Sequence, residues 1–389
     1  MIGPSGASTV VRVGFRAPPL AWQGGRNYLW NLLYAVGTLR DRKIEPVVVA
    51  RIAEDVTDFS SIAEVIAPTV LSRREAFLAG RATRYLANID VVERIAMARA
   101  GVHLCSHAPP LGKRFGRPWI YWIPDLQHRR LPKQFSRTRR VRADFDMRQG
   151  LEHSALVIVS SHAARSDVLE HFGAQYAHKL RVLQFVAQPR TIDPPPREDL
   201  SARYDLPSRY LYLPNQFWTH KNHAIVVDAL ERVRARDIVV VATGASGDFR
   251  NSDHFARLMD RARRAKVEQR FRVLGAVPFR DVIGLMTHAI GVINPSLFEG
   301  WSTTVEEARA LGKRLILSSI DVHREQAPPR ARYFDPHRAD ELAAAIEALW
   351  NESDEGDAEA ARAATAALPV RTRSFADAYV QIVHEALSR

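Results

Sequence analysis

The chain has 389 residues, a length that suggests two domains or three, and 46% hydrophobic residues are enough to give each one a core. A single cysteine, Cys105, excludes an internal disulfide and a multi-cysteine metal site; its plain reading is a small buried strand residue in a reducing compartment. The formal net charge of +12 calls for an anionic partner (nucleotide, lipid head group or nucleic acid) without choosing among them.

No apolar run reaches the roughly 18 residues of a membrane span. Residues 1–8 lack the pattern of a signal peptide, so the expectation is a cytoplasmic protein. Along the chain, short apolar runs alternate with helical patterns. Strands are expected at 10–15, 46–50, 102–105, 119–123, 156–160 and 180–185. Helices are expected at 24–39, where Leu29, Leu32, Leu33 and Val36 share a face, at 138–153, and from 161 to 172. Residues 188–199 carry Pro189, Pro194, Pro195 and Pro196 and read as an extended connector. Beyond it, strands are expected at 210–214, 238–243, 271–274, 291–294 and 315–318. They alternate with helices at 222–234, 252–265, 279–288 and 303–311, and helices at 340–350 and 375–387 follow. Such alternation predicts an α/β chain of two doubly wound domains, 1–190 and 200–372, facing a cleft, with ligands at the carboxyl ends of the strands.

The densest chemistry lies in residues 296–319. Glu299 and Gly300 precede Ser302, Thr303 and Thr304, where a helix begins; unpaired amides and the helix dipole there suit a diphosphate. Glu307, eight residues after Glu299, can accept from two ribose hydroxyls, and Glu306 is its rival if the register slips. Gly312 ends the helix. A second strand-to-helix loop carries Asn215, Lys221 and Asn222, with Lys221 able to reach a phosphate as a point charge. Gly24 and Gly25 open the first helix, where turn chemistry and close approach to a ligand are both open readings. Gly244 ends the strand at 238–243. Arg129–Arg148 is strongly basic, either a solvated helix face or a patch for anionic lipid. Asp144 and Asp146 spell D-x-D, but inside an Arg-rich helix rather than at a strand end, which argues against a metal site.

The segment 296–319 resembles the E-x7-E element of retaining family-4 glycosyltransferases. It keeps Glu299, Gly300, Glu307, Ala308, Ala310 and Gly312, and departs at Trp301, Ser302 and Thr304. Lys221–Asn222 resembles the family's second-domain phosphate loop, with Gln216 where an Arg is usual. Gly24–Gly25 and the segment 274–277, with Val277 beside the nucleotide base, match more loosely. Pro124, Asp125 and His128 are similar to a P-D-x-Q-H variant of the family's cleft motif.

The resemblance implies the GT-B fold, with two Rossmann-like domains and a last helix, 373–389, crossing back onto the first. It implies sugar transfer from a nucleotide diphosphate, with retention and without a metal or other cofactor. Glu299 would hold the sugar, Glu307 the ribose, and Asp125 or His128 would lie near the reacting carbon; His103 and His107 are further cleft candidates. A hexose or deoxyhexose would pass to a glycan or lipid-linked acceptor in bacterial surface polysaccharide synthesis. The enzyme would work at the inner face of the plasma membrane, touching anionic lipid, and without nucleic acid. The alternatives are an epimerase or phosphorylase on the same fold, or a non-catalytic nucleotide-binding partner.

Overall fold

The computed structural model describes residues 10–20, 22–40, 43–50, 53–67, 74–248 and 250–389. Residues 1–8, read above as lacking a leader, lie outside them, as does Ala21. Two compact units result. One takes the described residues up to His128, then Ser136–Val186 and Val370–Arg389; the other takes Arg129–Phe135 and Ala187–Pro369.

The first unit is a seven-stranded parallel sheet: β1 (Val11–Arg16), β2 (Ile44–Val49), β3 (Glu64–Ile66), β4 (Leu104–Ala108), β5 (Trp119–Ile123), β6 (Leu156–Val159) and β7 (Leu180–Val182), in the order β3-β2-β1-β4-β5-β6-β7. Strands such as β6 are buried at every position, as expected where helices cover both faces. The order reverses between β1 and β4, so the carboxyl ends of these two strands open onto a crevice. Residues 370–389 join this unit through side chains: Arg181 Nε donates to Glu385 at 2.7 Å, and the Tyr379 ring packs 6.1 Å from Phe15.

The second unit repeats the plan with six parallel strands: β8 (Leu211–Pro214), β9 (Val240–Thr243), β10 (Phe271–Gly275), β11 (Gly291–Asn294), β12 (Leu315–Ser318) and β13 (Ala331–Phe334), in the order β10-β9-β8-β11-β12-β13. Its reversal lies between β8 and β11. Leu213, Phe217, Val226, Ile293 and Ile346 meet in one buried cluster that fixes the sheet beneath the loops.

One reading of proline needs correction, and a second proline is placed unexpectedly. The connector expected over 188–199 holds a 3-10 turn, Pro189–Thr191, and then a helix, Arg197–Tyr204, that starts directly after Pro196. Proline is tolerated there because the first helical amides need no partner, and Glu198 and Asp199 in the first turn favour the dipole. At the C-terminus, one helix runs from Asp357 to Leu387 with Pro369 inside it. The alanine-rich stretch before Pro369 supplies the helix propensity that outweighs one lost hydrogen bond.

Candidate active site

The loops that follow β8 and β11 lie side by side in the second unit. Leu297 N–H donates to the His220 carbonyl at 2.8 Å, and Asn222, held at φ +57°, donates its side-chain amide to the carbonyls of Pro295 and Pro336. This stitching brings Lys221 Nζ to 2.6 Å from Glu299 Oε1. Burial pushes the Glu299 carboxyl up, but Lys221 outweighs it, so the carboxyl sits below the usual carboxylate range and is charged. Ser296 Oγ, 2.6 Å from the same oxygen and 2.8 Å from Asn294 Oδ1, orients it further. Gly300 is buried in the turn that follows.

Ser302 caps the helix Thr303–Ala310: its hydroxyl accepts from Val305 N–H at 3.4 Å and from Asn294 Nδ2 at 2.7 Å. The amides of Thr303 and Thr304, first in the helix, take no acceptor among the described residues. Thr304 Oγ1 reaches the Pro214 carbonyl at 3.4 Å, tying the helix start to β8.

The two neighbouring acids of this helix are used differently. Glu306 is fully buried and accepts from Gln326 Nε2 at 3.1 Å; Gln326 also bonds the Ser302 backbone on both sides, at 3.0 and 3.3 Å. Glu307 is 5% exposed, and its carboxylate has no hydrogen-bond or ion-pair partner among the described residues. Burial alone pushes its pKa up to about 8. An acid kept dry and unpaired is costly for a purely structural purpose. It is the feature of this corner that most resembles a binding position.

Around these groups the backbone comes close. Gly244, at the end of β9, has φ +146°, and a Cβ there would stand 2.3 Å from the Asn215 carbonyl oxygen, so only glycine fits. Asn215 Nδ2 points to Asn294 Oδ1 at 3.5 Å. Gln216, at the position where a second phosphate cation was sought, accepts from Ala245 N–H at 2.7 Å and serves the loop instead. Arg250, bonded to Asp248 at 3.0 Å and lying over Trp218 at 5.1 Å, is a guanidinium that enters the same loop set. Val277 packs half-buried against the core beside Gly275, whose carbonyl accepts from Gly244 N–H.

The motifs did not point to His220 and His323. Both are buried and neutral, with pKa values pushed down by burial to about 3 and about 4, and both act electrostatically on Glu299. His323 Nδ1 lies 2.9 Å from the Ser318 carbonyl, which places the proton on that nitrogen.

In the first unit, His128 Nε2 sits 2.9 Å from Asp144, and Asp146 pairs with Arg84 at 3.3 Å. The two acids of the D-x-D sequence therefore serve different partners. Asp125 accepts from Gln127 N–H at 2.9 Å, capping the short helix Gln127–Arg130 that carries His128. Gly24 faces open space apart from the Trp22 ring nitrogen, whereas a Cβ on Gly25 would meet the Trp22 ring at 2.6 Å. Gly25 thus makes room for that indole. His103 Nδ1 accepts from Arg12 N–H, on the far side of β4 from His107 in sequence.

The family model described as glycosyl transferases group 1 matches residues 201–367. No curated protein matches the chain. Among solved structures, HepE from Anabaena, in complex with UDP and glucose, superposes with a TM-score of 0.69 at 17% identity, covering 96% of this chain and 99% of that one. A glycosyltransferase from Rickettsia africae ESF-5 gives 0.68 at 15% identity, with 96% and 99% covered. Sucrose-phosphate synthase from Thermosynechococcus elongatus gives 0.65 at 17%, with 97% of each chain covered. The architecture is GT-B, and residues 201–367 of the second unit are similar to group 1 glycosyltransferases, which supports a glycosyltransferase.

Proposed function

We propose that the chain transfers a hexosyl or deoxyhexosyl group from a nucleotide diphosphate sugar to a glycan or lipid-linked acceptor, with retention of anomeric configuration. The observation that carries this reading is the corner at β11: a charged Glu299, two open amides at Thr303 and Thr304, and an unpartnered, buried Glu307. A nucleotide sugar presents matching groups in that order, namely sugar hydroxyls, a diphosphate, and a ribose diol. HepE, which shares the fold, was solved with UDP-glucose.

As the anomeric C–O bond breaks, its electron pair leaves with the diphosphate. The helix amides and Lys221 are placed to hold that charge without reorganising. Glu299 accepts from sugar hydroxyls and keeps Lys221 aimed. The leaving phosphate oxygen takes the acceptor proton, so no resident metal or other cofactor is required.

The exposed face of the helix Arg137–His153 combines Arg137, Arg142 and Arg148 with Val141 (60% exposed) and Phe145 (43%). That mixture suits shallow contact with an anionic membrane surface, as a lipid-linked acceptor for surface polysaccharide at the cytoplasmic face would require. No helix among the described residues is long and apolar enough to cross a membrane.

The test is product formation from a panel of nucleotide diphosphate sugars, with and without EDTA. Nucleotide diphosphate should appear only when acceptor is present, and at the same rate in EDTA. Release without acceptor, or a transfer rate abolished by EDTA, contradicts the proposal.

A further inference from the structure

The switch point of the first unit holds a cavity of about 410 Å³ at the carboxyl ends of β1, β4 and β5. Its volume lies within the roughly 300–1,000 Å³ of small-molecule sites, and its place is where doubly wound sheets bind ligands. One wall is a slab of rings from three segments of the chain. Trp122 stacks on Tyr28 (4.3 Å between centroids, 12° apart) and on Trp22 (5.4 Å, 18°), while His107 adjoins both Tyr28 and Trp122. Prolines from the loops after β1, β4 and β5 close the remaining sides.

The slab is held in place deliberately. His107 is a non-glycine residue at φ +55°, in a register irregularity between β4 and β5. Its ring is fixed at both nitrogens, by Ser106 Oγ and by Tyr28 Oη, each at 2.8 Å. Backbone held in this region tends to mark functional walls rather than ordinary strands. Gly25 exists in a form that leaves room for Trp22, which is itself 37% exposed.

Most side-chain polar groups on the wall are already engaged, leaving, among the described residues, the Trp22 indole N–H and the Tyr121 hydroxyl. Tyr28 and His107 bond one another, Arg16 pairs with Glu93 at 3.2 Å, and Asp146 pairs with Arg84. A bare sugar ring would bring several hydroxyls to this lining and find few partners for them. An apolar group would bring none. Resting on the glycosyl-transfer reading, we propose that this cavity seats an apolar group of the acceptor, an aromatic ring or an isoprenoid chain, and so selects acceptors by their aglycone.

Calorimetric titration of the full chain, without donor, tests this. The probes are phenyl β-glucoside, geranyl phosphate, methyl β-glucoside and inorganic phosphate. Phenyl β-glucoside or geranyl phosphate should bind at least ten-fold more tightly than both methyl β-glucoside and inorganic phosphate, with a negative heat-capacity change; which of the two does so names the source of the apolar group. Trp22→Ala, on an exposed ring, and Trp122→Ala should each weaken that binding ten-fold or more with UDP affinity retained. Methyl β-glucoside binding as well as phenyl β-glucoside, no binding by any probe, or a Trp22→Ala chain that binds like its parent would overturn the proposal. Absence of UDP binding to the parent chain would strike the transfer reading and leave the cavity result standing.

Discussion

Both units place their crevice at the point where strand order reverses, yet they furnish it in opposite ways. At β8 and β11 the loops bring together a buried acid–lysine pair, open amides and an unpaired carboxylate. At β1 and β4 they bring together stacked rings and prolines, with most side-chain polar groups already bonded. The same sheet geometry therefore sets where a ligand is expected, and loop chemistry separates the two proposals: a charged, hydroxyl-rich molecule in one unit, an apolar one in the other.

The sharpest way to break this contrast is to remove Glu299. Glu299→Ala should lower transfer by about 10²–10³-fold, the usual loss for one preorganised electrostatic group, while the fold persists by circular dichroism. Lys221→Ala should lower transfer comparably. It should also destabilise the chain by roughly 3–5 kcal/mol in urea titrations, because Glu299 would be left buried without its cation.

Next in size is Glu307→Gln, expected to weaken UDP binding by about 10–100-fold, the worth of hydrogen bonds to a charged group. The same variant sharpens the comparison through pH. The folded-state pKa of Glu307 is raised from 4.5 to about 8, so the native state binds that proton more tightly than the unfolded chain does. Its contribution to stability is full below about 4.5 and is lost as pH rises to about 8. Parent stability should fall across that window relative to Glu307→Gln. UDP affinity should rise over the same range in the parent and more weakly in the variant, since only the ionised carboxylate accepts from both ribose hydroxyls. The smallest effect is expected from Ser302→Ala, about 0.5–2 kcal/mol of stability from a lost helix cap, measured by thermal unfolding.

How much of this was legible in the sequence depended on burial. Residues 119–123, 291–294 and 315–318 were read with their observed bounds, because each is an apolar run too short for a helix, as a strand covered on both faces reads. Two strands went unread. β3 (Glu64–Ile66) is three residues long and β13 (Ala331–Phe334) is partly exposed, and each lies at a sheet edge with little apolar signal. The helices Arg74–Ala87 and Val91–Arg99 were also unread.

At the candidate site, spacing alone put Glu299 and Glu307 on one strand-to-helix corner. It could not show that Glu306 is consumed by Gln326, since that contact spans 20 residues and exists only in the folded unit. Nor could it reveal the ring slab: Trp22 and Tyr28, His107, and Trp122 come from three separate segments, and no local pattern marks them as neighbours. His128 was sought near the reacting carbon; its ring contacts Asp144 on the helix Arg137–His153.

The corner at β11 is most directly tested by titrating UDP into the parent chain and into Glu307→Gln at pH 9, where the parent carboxylate is ionised. A loss of ten-fold or more in the variant, with unchanged unfolding temperature at low pH, is the expected result. Equal affinity in the two chains would contradict the assignment of that acid to the ribose, and with it the placement of the nucleotide in the second unit.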